Sequence, residues 1–291
     1  MLSIIICSKN KLLYQALVLN IEKTIGIAYE LIKIDNTNNQ YNIATAYNKG
    51  ALQSTYNHLL FLHEDVAFIT KNWGQVLMHI FTTNPLVGVI GVAGSTYKSL
   101  IPSTWGAADK MHNHYNIFHQ INEITRHDYS NPTNATNAPV VVIDGVFIAT
   151  TKIIYDHVKF DENIITHFHG YDILFSITAS KLCTVIVTFN INLVHNSVGS
   201  FNYQWLQAQV KVHQYLSTYN QPYFTTIKNL QKSQINKAEK YSYKGTLKQL
   251  TYAKNIPLTS IISWVKLSKK IAFKNCYFTI KTMLKAIQYR L

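Results

Sequence analysis

Short apolar runs recur along the first two hundred residues, and polar clusters follow them. Leu2–Cys7, Tyr29–Ile34, Leu59–Leu62, Val87–Val92, Val140–Ala149 and Val185–Val187, the last followed by Asn190–Val194, have the length and β-branched content of strands. Helix-length segments, Leu12–Thr24 and Ile43–Tyr56, separate the first three. The opening therefore reads β-α-β-α-β, which predicts a parallel sheet with right-handed crossovers and a nucleotide-binding half. The run Leu59-Leu60-Phe61-Leu62 breaks abruptly into His63-Glu64-Asp65. A buried strand that ends in two carboxylates delivers them to an open sheet edge, where a cation or a hydroxyl-rich ligand offsets their charge.

Downstream the pattern changes. Gly94 to Pro139 is polar, rich in Asn, His, Ser and Thr, with Trp105-Gly106 inside it, and reads as a long, partly ordered loop region over a site. A strand ending in Ile143-Asp144-Gly145-Val146-Phe147 follows, then His167-Phe168-His169-Gly170 and a helix from Tyr171 to about Leu182. Beyond Ser197 the composition is mostly helical, with a Lys/Gln/Asn-rich linker expected at 228–246. There is no internal repeat.

Charge changes this picture more than composition does. At 291 residues and 47% hydrophobic content the chain can bury a substantial core. Three widely spaced cysteines, Cys7, Cys183 and Cys276, suggest neither a disulfide framework nor a thiolate metal site, and so a reducing, cytoplasmic setting. No signal peptide or membrane span is expected. The net charge is +13, yet residues 1–227 hold 13 of the 27 Lys and Arg and 13 of the 14 Asp and Glu. Residues 228–291 hold the other 14 bases and a single acid, Glu239. A neutral body with a basic extension argues for a separate docking surface.

From Leu258 the extension has helical periodicity, with Lys266, Lys270, Lys274, Lys281 and Lys285 on one side and Ile261, Val265, Ala272, Cys276, Ile280, Met283 and Ile287 on another. Such a basic amphipathic helix suits an anionic membrane surface, which would make the protein peripheral on the inner face of the cytoplasmic membrane. The alternative is a helix packed on the body with a solvated lysine face. Nucleic acid is disfavoured, because the bases are nearly all lysine and Arg290 alone offers a fork for guanine.

The strand ends carry Cys7-Ser8-Lys9-Asn10, Asp35-Asn36, His63-Glu64-Asp65, Asp144-Gly145 and His195-Asn196. In an open α/β sheet these groups converge on one crevice beyond the carboxyl ends of the strands. Together with Tyr47-Asn48-Lys49-Gly50, Gly91-Val92-Ala93-Gly94-Ser95 and Phe168-His169-Gly170-Tyr171-Asp172-Ile173, the series resembles the inverting family 2 glycosyltransferases of GT-A fold, in the branch with His-Glu-Asp in place of Asp-x-Asp. The resemblance spans about residues 1 to 200.

The resemblance implies an α/β GT-A fold, a mixed and mostly parallel sheet flanked by helices. Its body, 1–227, would comprise a nucleotide-binding half (1–95), an acceptor-binding half (96–200) and a closing helix (201–227), with 228–291 as a basic helical extension. It implies a nucleotide-sugar donor, a UDP-sugar first among them, a glycan acceptor, and Mn2+ or Mg2+; the charge of the tail points further to a lipid-linked or surface glycan acceptor at the cytoplasmic face of a bacterial envelope. Donor contacts would come from Ser8, Asp35, Asn48, His63, Glu64 and Asp65. Asp65 would ligate the metal, and His195 either joins it or is structural. His63 stands where the family has an acid, and hydrogen-bonds ribose or phosphate in this reading. Trp105, Asp144, Gly145, His169 and Tyr171 would line the acceptor or donor-sugar pocket, and Asp172 would be the catalytic base, its pKa lowered by its helix N-terminus.

Other chemistries lack their signatures: there is no phosphate-binding Gly-rich loop, nucleophile elbow or His-Glu-x-x-His. Two rival readings stand, a GT-A module that binds nucleotide without transfer and a nucleic-acid-associated enzyme docked through its lysines.

Overall fold

The computed structural model describes residues 1–121, 124–197, 199, 201–253 and 255–290. The first half runs β1 (Leu2–Ser8), α1 (Lys11–Thr24), β2 (Tyr29–Asp35), α2 (Ile43–Gln53), β3 (His58–Leu62), β4 (Val66–Phe68), α3 (Trp73–Thr83), β5 (Val87–Gly91), β6 (Ala93–Ser95), β7 (Tyr97–Ser99), β8 (Asn113–Ile121), β9 (Ile124–Ser130), β10 (Asn137–Val140), β11 (Val142–Ile143) and β12 (Phe147–Thr151). It continues through α4 (Lys152–Val158), α5 (Tyr171–Ala179), β13 (Thr184–Thr188), β14 (Leu193–His195), α6 (Tyr203–Ser217), β15 (Tyr223–Thr225), α7 (Lys232–Tyr252), α8 (Leu258–Leu267), α9 (Lys269–Lys274) and α10 (Cys276–Gln288).

The main sheet has the order β10-β13-β5-β12-β3-β1-β2. As the β-α-β-α-β pattern predicts, β1 pairs in parallel with β2 and β3; β12 is antiparallel to β3 and β5, so the sheet is mixed. Alternation along β1 feeds two cores. Leu2, Ile4 and Ile6 pack with α1 and α3 residues, whereas Ile5 packs with α2 and α5 residues on the other face. Asn10 and Asn42 cap the first two helices, their side chains accepting backbone N–H bonds from Leu12, Leu13 and Thr45.

Three expectations need correction. The polar stretch 94–139 is not a loop region: it holds β6 to β9 and the start of β10. Its strands β6, β8 and β9 help build a second sheet of order β11-β6-β8-β14-β4, with β9 on β8. The strand expected over Val140–Ala149 is three strands. The chain leaves the main sheet after β10, pairs β11 with β6 in the second sheet, and returns as β12. Asp144 and Gly145 make the return, with the Asp144 N–H bonded to the Ala93 carbonyl at 2.8 Å and Asp144 Oδ1 accepting the Val146 N–H at 2.8 Å.

The third correction concerns the extension, whose expected linker at 228–246 lies largely within the 21-residue α7. Ala238, Ser242, Tyr243, Thr246, Leu247 and Leu250 bury one stripe of that helix. A third core joins Tyr243, Leu247, Leu250, Ile261, Trp264 and Ala272 to Ile101, Trp205 and Leu206 of the body. Glu239 accepts hydrogen bonds from Tyr97 Oη (2.7 Å) and Ser99 Oγ (2.9 Å), beside the buried Lys98. Arg290 spreads its guanidinium over the carbonyls of Leu250, Thr251, Ala253, Ile256 and Ala286. The extension is thus docked on the body.

Candidate active site

β3 stops at Leu62, and His63 follows at the seam between the two sheets, where the chain passes from β3 to β4. Across the seam β14, held between β8 and β4, ends in His195. His63 Nδ1 and His195 Nε2 are 3.5 Å apart, His195 Nε2 is 3.4 Å from Asp65 Oδ1, and His63 Nδ1 is 4.0 Å from the same oxygen. Asn196 ties the two strand ends together, its backbone and side-chain N–H groups donating to the Asp65 carbonyl at 2.9 and 3.0 Å.

These separations fit a cation. Ligand atoms about 2.0–2.2 Å from one ion lie roughly 3 to 4 Å from each other. The donor set, two imidazole nitrogens and one carboxylate oxygen, is one that transition ions accept. With the Tyr171 hydroxyl donating to the Gly145 carbonyl (3.1 Å), it accepts at 2.7 Å from His63 Nε2, a tautomer that leaves the Nδ1 lone pair facing the triad. Electrostatics agree with a site waiting for positive charge. Burial, then the His195 charge, lowers the His63 pKa. Burial, the largest single influence, disfavours charge on both His195 and Asp65, but their hydrogen bond and the attraction of neighbouring charges together outweigh it, raising the pKa of His195 and lowering that of Asp65.

The triad opens into a cleft of about 670 Å3, whose lining includes Trp105, Asp144, His169, Tyr171 and Asp172. Asp172 is the second residue of α5, behind Gly170 at φ +80°. The expected lowering of its pKa is reversed: burial first, then the Asp144 charge, overcome the backbone N–H bonds of the helix start and push it up to about 7. Trp105 Nε1 donates to Asp144 Oδ2. At Gly145 a Cβ would collide with the Tyr171 ring, so this close approach admits only glycine.

Of the remaining donor candidates, Glu64 shares a smaller hollow with His63, Asp65 and Tyr171, and the others lie apart. Asp35, exposed, accepts from the Thr37 N–H and hydroxyl, bonds that hold its pKa low, and lines a separate hollow with Lys33, Gln40, Tyr41 and Lys49. Ser8 is buried beside it in the register of β1 on β2 and lines no described cavity. Glu64 turns away from the triad and accepts the backbone N–H groups of Lys9 and Asn10 at 3.1 Å. Asn48 does not reach the cleft. Its amide donates to Phe160 O and Glu162 Oε1 and accepts from the Phe160 N–H and Tyr155 hydroxyl, which fastens α2 to the segment after α4.

Sequence reasoning missed several lining residues, among them Tyr115, His119, Gln209 and Gln249. Tyr115, Ile117 and His119 alternate along β8, a period-two signal hidden by the polar residues around them, and His119 pairs in register with His195. Gln249 comes from α7, so the extension walls part of the cleft.

Residues 3–224 match the sequence profile described as "Glycosyltransferase like family". No curated protein sequence matches the chain. Among solved structures, the mannosyltransferase PcManGT from Pyrobaculum calidifontis, in complex with GDP-Man and Mn2+, aligns over 99% of this chain and 86% of its own, with 11% identity and a TM-score of 0.50. GalNAc-T7 with UDP, GalNAc and Mn2+ aligns over 68% of this chain and 44% of its own, at 10% identity and a TM-score of 0.48. The match of most of the chain to that profile, together with a mixed sheet of GT-A type, shows that the chain belongs to this glycosyltransferase family.

Proposed function

We propose that the enzyme transfers a sugar, with inversion, from a nucleotide-sugar donor to a glycan hydroxyl, and that His63, Asp65 and His195 hold a divalent ion for the donor diphosphate. One observation carries this reading: the triad and Asp172 open into the same cleft. The donor set favours Mn2+ over Mg2+, which prefers oxygen ligands in octahedral array. When bound, the ion would neutralise charge on the departing diphosphate.

The chain's own groups supply the rest. Asp172, with a pKa of about 7, takes the proton of the acceptor hydroxyl at a carboxylate oxygen as that hydroxyl attacks from the face opposite the diphosphate. Asp144, oriented by Trp105, accepts a hydroxyl of the sugar, and the aromatic walls of Trp105, Tyr115 and Trp205 suit pyranose faces. The hollow around Asp35 suits ribose or base. A UDP-sugar donor and a lipid-linked acceptor at a bacterial envelope are the specific choices within this reading. The fold neighbour solved with GDP-Man and Mn2+ holds ligands of the same two classes.

The test is a thermal-shift panel of nucleotide diphosphates and nucleotide sugars with and without Mn2+ or Mg2+, followed by assay of two variants. A Mn2+-dependent shift is expected with one nucleotide. Asp65→Ala is expected to abolish it, and Asp172→Asn to retain it while transfer falls by about 10²- to 10⁴-fold. Wild-type transfer by Asp172→Asn removes the base assignment; a shift indifferent to the ion removes the metal.

A further inference from the structure

The extension exposes an apolar stripe that the third core does not use. Of the residues expected on the apolar face, Ile261 and Ala272 are buried in that core, and Val265 and Met283 pack against it. A second stripe lies outside: Phe273 is 84% exposed, Tyr277 76%, Ile280 61%, Leu284 56% and Ile287 39%. On α10, Thr282 and Ala286 face the protein. At about 100° per residue, Tyr277, Ile280, Leu284 and Ile287 fall on the opposite, solvent-facing half, and Lys281 and Lys285 border them along one edge. Lys266, Lys269, Lys270 and Lys274 lie within seven residues of the exposed Phe273 in sequence and are themselves exposed. Between Leu258 and Arg290 there is no acid, and among the described residues none of these six lysines has an ion-pair partner.

We infer that this face is a docking surface for an anionic phospholipid bilayer, with Phe273, Tyr277, Ile280 and Leu284 entering the headgroup boundary and the lysines meeting lipid phosphates. Charge complementarity selects the occupant. A second copy of the chain would bring the same lysines against each other, whereas an anionic lipid surface neutralises them and receives the aromatic and aliphatic side chains between them. The helices lie on the surface, since no described helix is long and apolar enough to cross a membrane. The geometry also bears on the acceptor, a step that rests on the transferase reading. α7 presents Gln249 to the cleft and holds α8 and α10 through Tyr243, which stacks on Trp264 and bonds Thr279 at 2.9 Å. One helix therefore separates the cleft from the docking face, the arrangement that serves an acceptor anchored in the same bilayer.

Co-sedimentation with vesicles tests the inference, using phosphatidylcholine alone and phosphatidylcholine mixed with phosphatidylglycerol. Two variants are compared with the full-length wild type: Tyr277→Ser/Ile280→Ser/Leu284→Ser, and Lys270→Gln/Lys274→Gln/Lys281→Gln/Lys285→Gln. The wild type is expected to bind mixed vesicles at least about tenfold better than neutral ones, with binding that weakens as salt rises. Each variant is expected to lose at least about tenfold while its Tm and its Mn2+-dependent nucleotide shift stay those of the wild type. Three results would overturn the inference: no wild-type binding to anionic vesicles, variants that bind as the wild type does, or a wild-type dimer that the serine variant dissociates in the absence of vesicle binding. Vesicle binding without any nucleotide shift would leave the docking face standing and remove the transferase reading.

Discussion

Asp172 sits where two influences oppose each other, and in the proposed reaction the outcome would set the pH range of transfer. The start of α5 offers backbone N–H groups that favour the carboxylate, while burial and the charge of Asp144 disfavour it and prevail, giving a pKa of about 7. A general base acts in its ionised form, so kcat/KM is expected to fall about tenfold per pH unit below 7 and to level off above it. Asp144→Asn removes the neighbouring negative charge and should move the break to lower pH. A pH–rate profile of both proteins checks this, and a break that stays in place would mean that another group limits the rate. From sequence the place of Asp172 in the family motif and at a helix start was legible, and the helix position argues in the wrong direction for its pKa. Its burial depends on residues far along the chain. The same holds for Glu64 and Asp65: the end of an apolar run identifies the pair, but the two residues form the turn between β3 and β4, where Glu64 bonds the backbone of Lys9 and Asn10 and only Asp65 meets His195.

At the scale of elements, α7 and α10 depend on Arg290 to satisfy carbonyls that the end of α7 leaves without helical partners. Arg290→Met is expected to cost about 2 kcal/mol and lower Tm by several degrees. Arg290→Lys should recover little, because an ammonium cannot reach the carbonyls that the planar fork spans. Calorimetry of the three proteins reads the effect, and equal Tm values would make the contact incidental. These elements were the least legible. The parallel core announces itself through unbroken runs such as Ile4-Ile5-Ile6 and Leu60-Phe61-Leu62. α7 buries Ser242 and Thr246 alongside Tyr243 and Leu247, and those small polar residues mask the apolar stripe. β8 is masked in the same way, since His114 and Asn116 occupy buried positions that apolar residues usually mark.

For the whole molecule, the extension beyond residue 227 and the body share a third core. Deleting Leu258 onward removes Trp264, whose loss alone costs about 3–5 kcal/mol when such a side chain leaves a core, and uncovers Tyr243, Leu247 and Leu250. The truncated chain is expected to aggregate or to lose more than about 10 °C in Tm, not to remain a soluble enzyme without a docking surface. Size-exclusion chromatography and thermal melts decide between these; a monomer of unchanged Tm would mean that the extension is separable. What the sequence made legible at this scale was the position of the crevice at the strand ends. The second sheet was hidden because its strands come from places as distant as Val66, Asn113 and His195, and no local pattern records that they are neighbours.

The seam between the sheets has a mechanical meaning. His63 belongs to the end of a strand in one sheet and His195 to the end of a strand in the other, with Asp65 on the short passage between them. An ion gripped by all three would pin the two halves of the molecule at a single point. Its binding energy would then be stored as resistance to opening along that line, so a donor arriving with its metal would find a stiffer cleft than the one it entered.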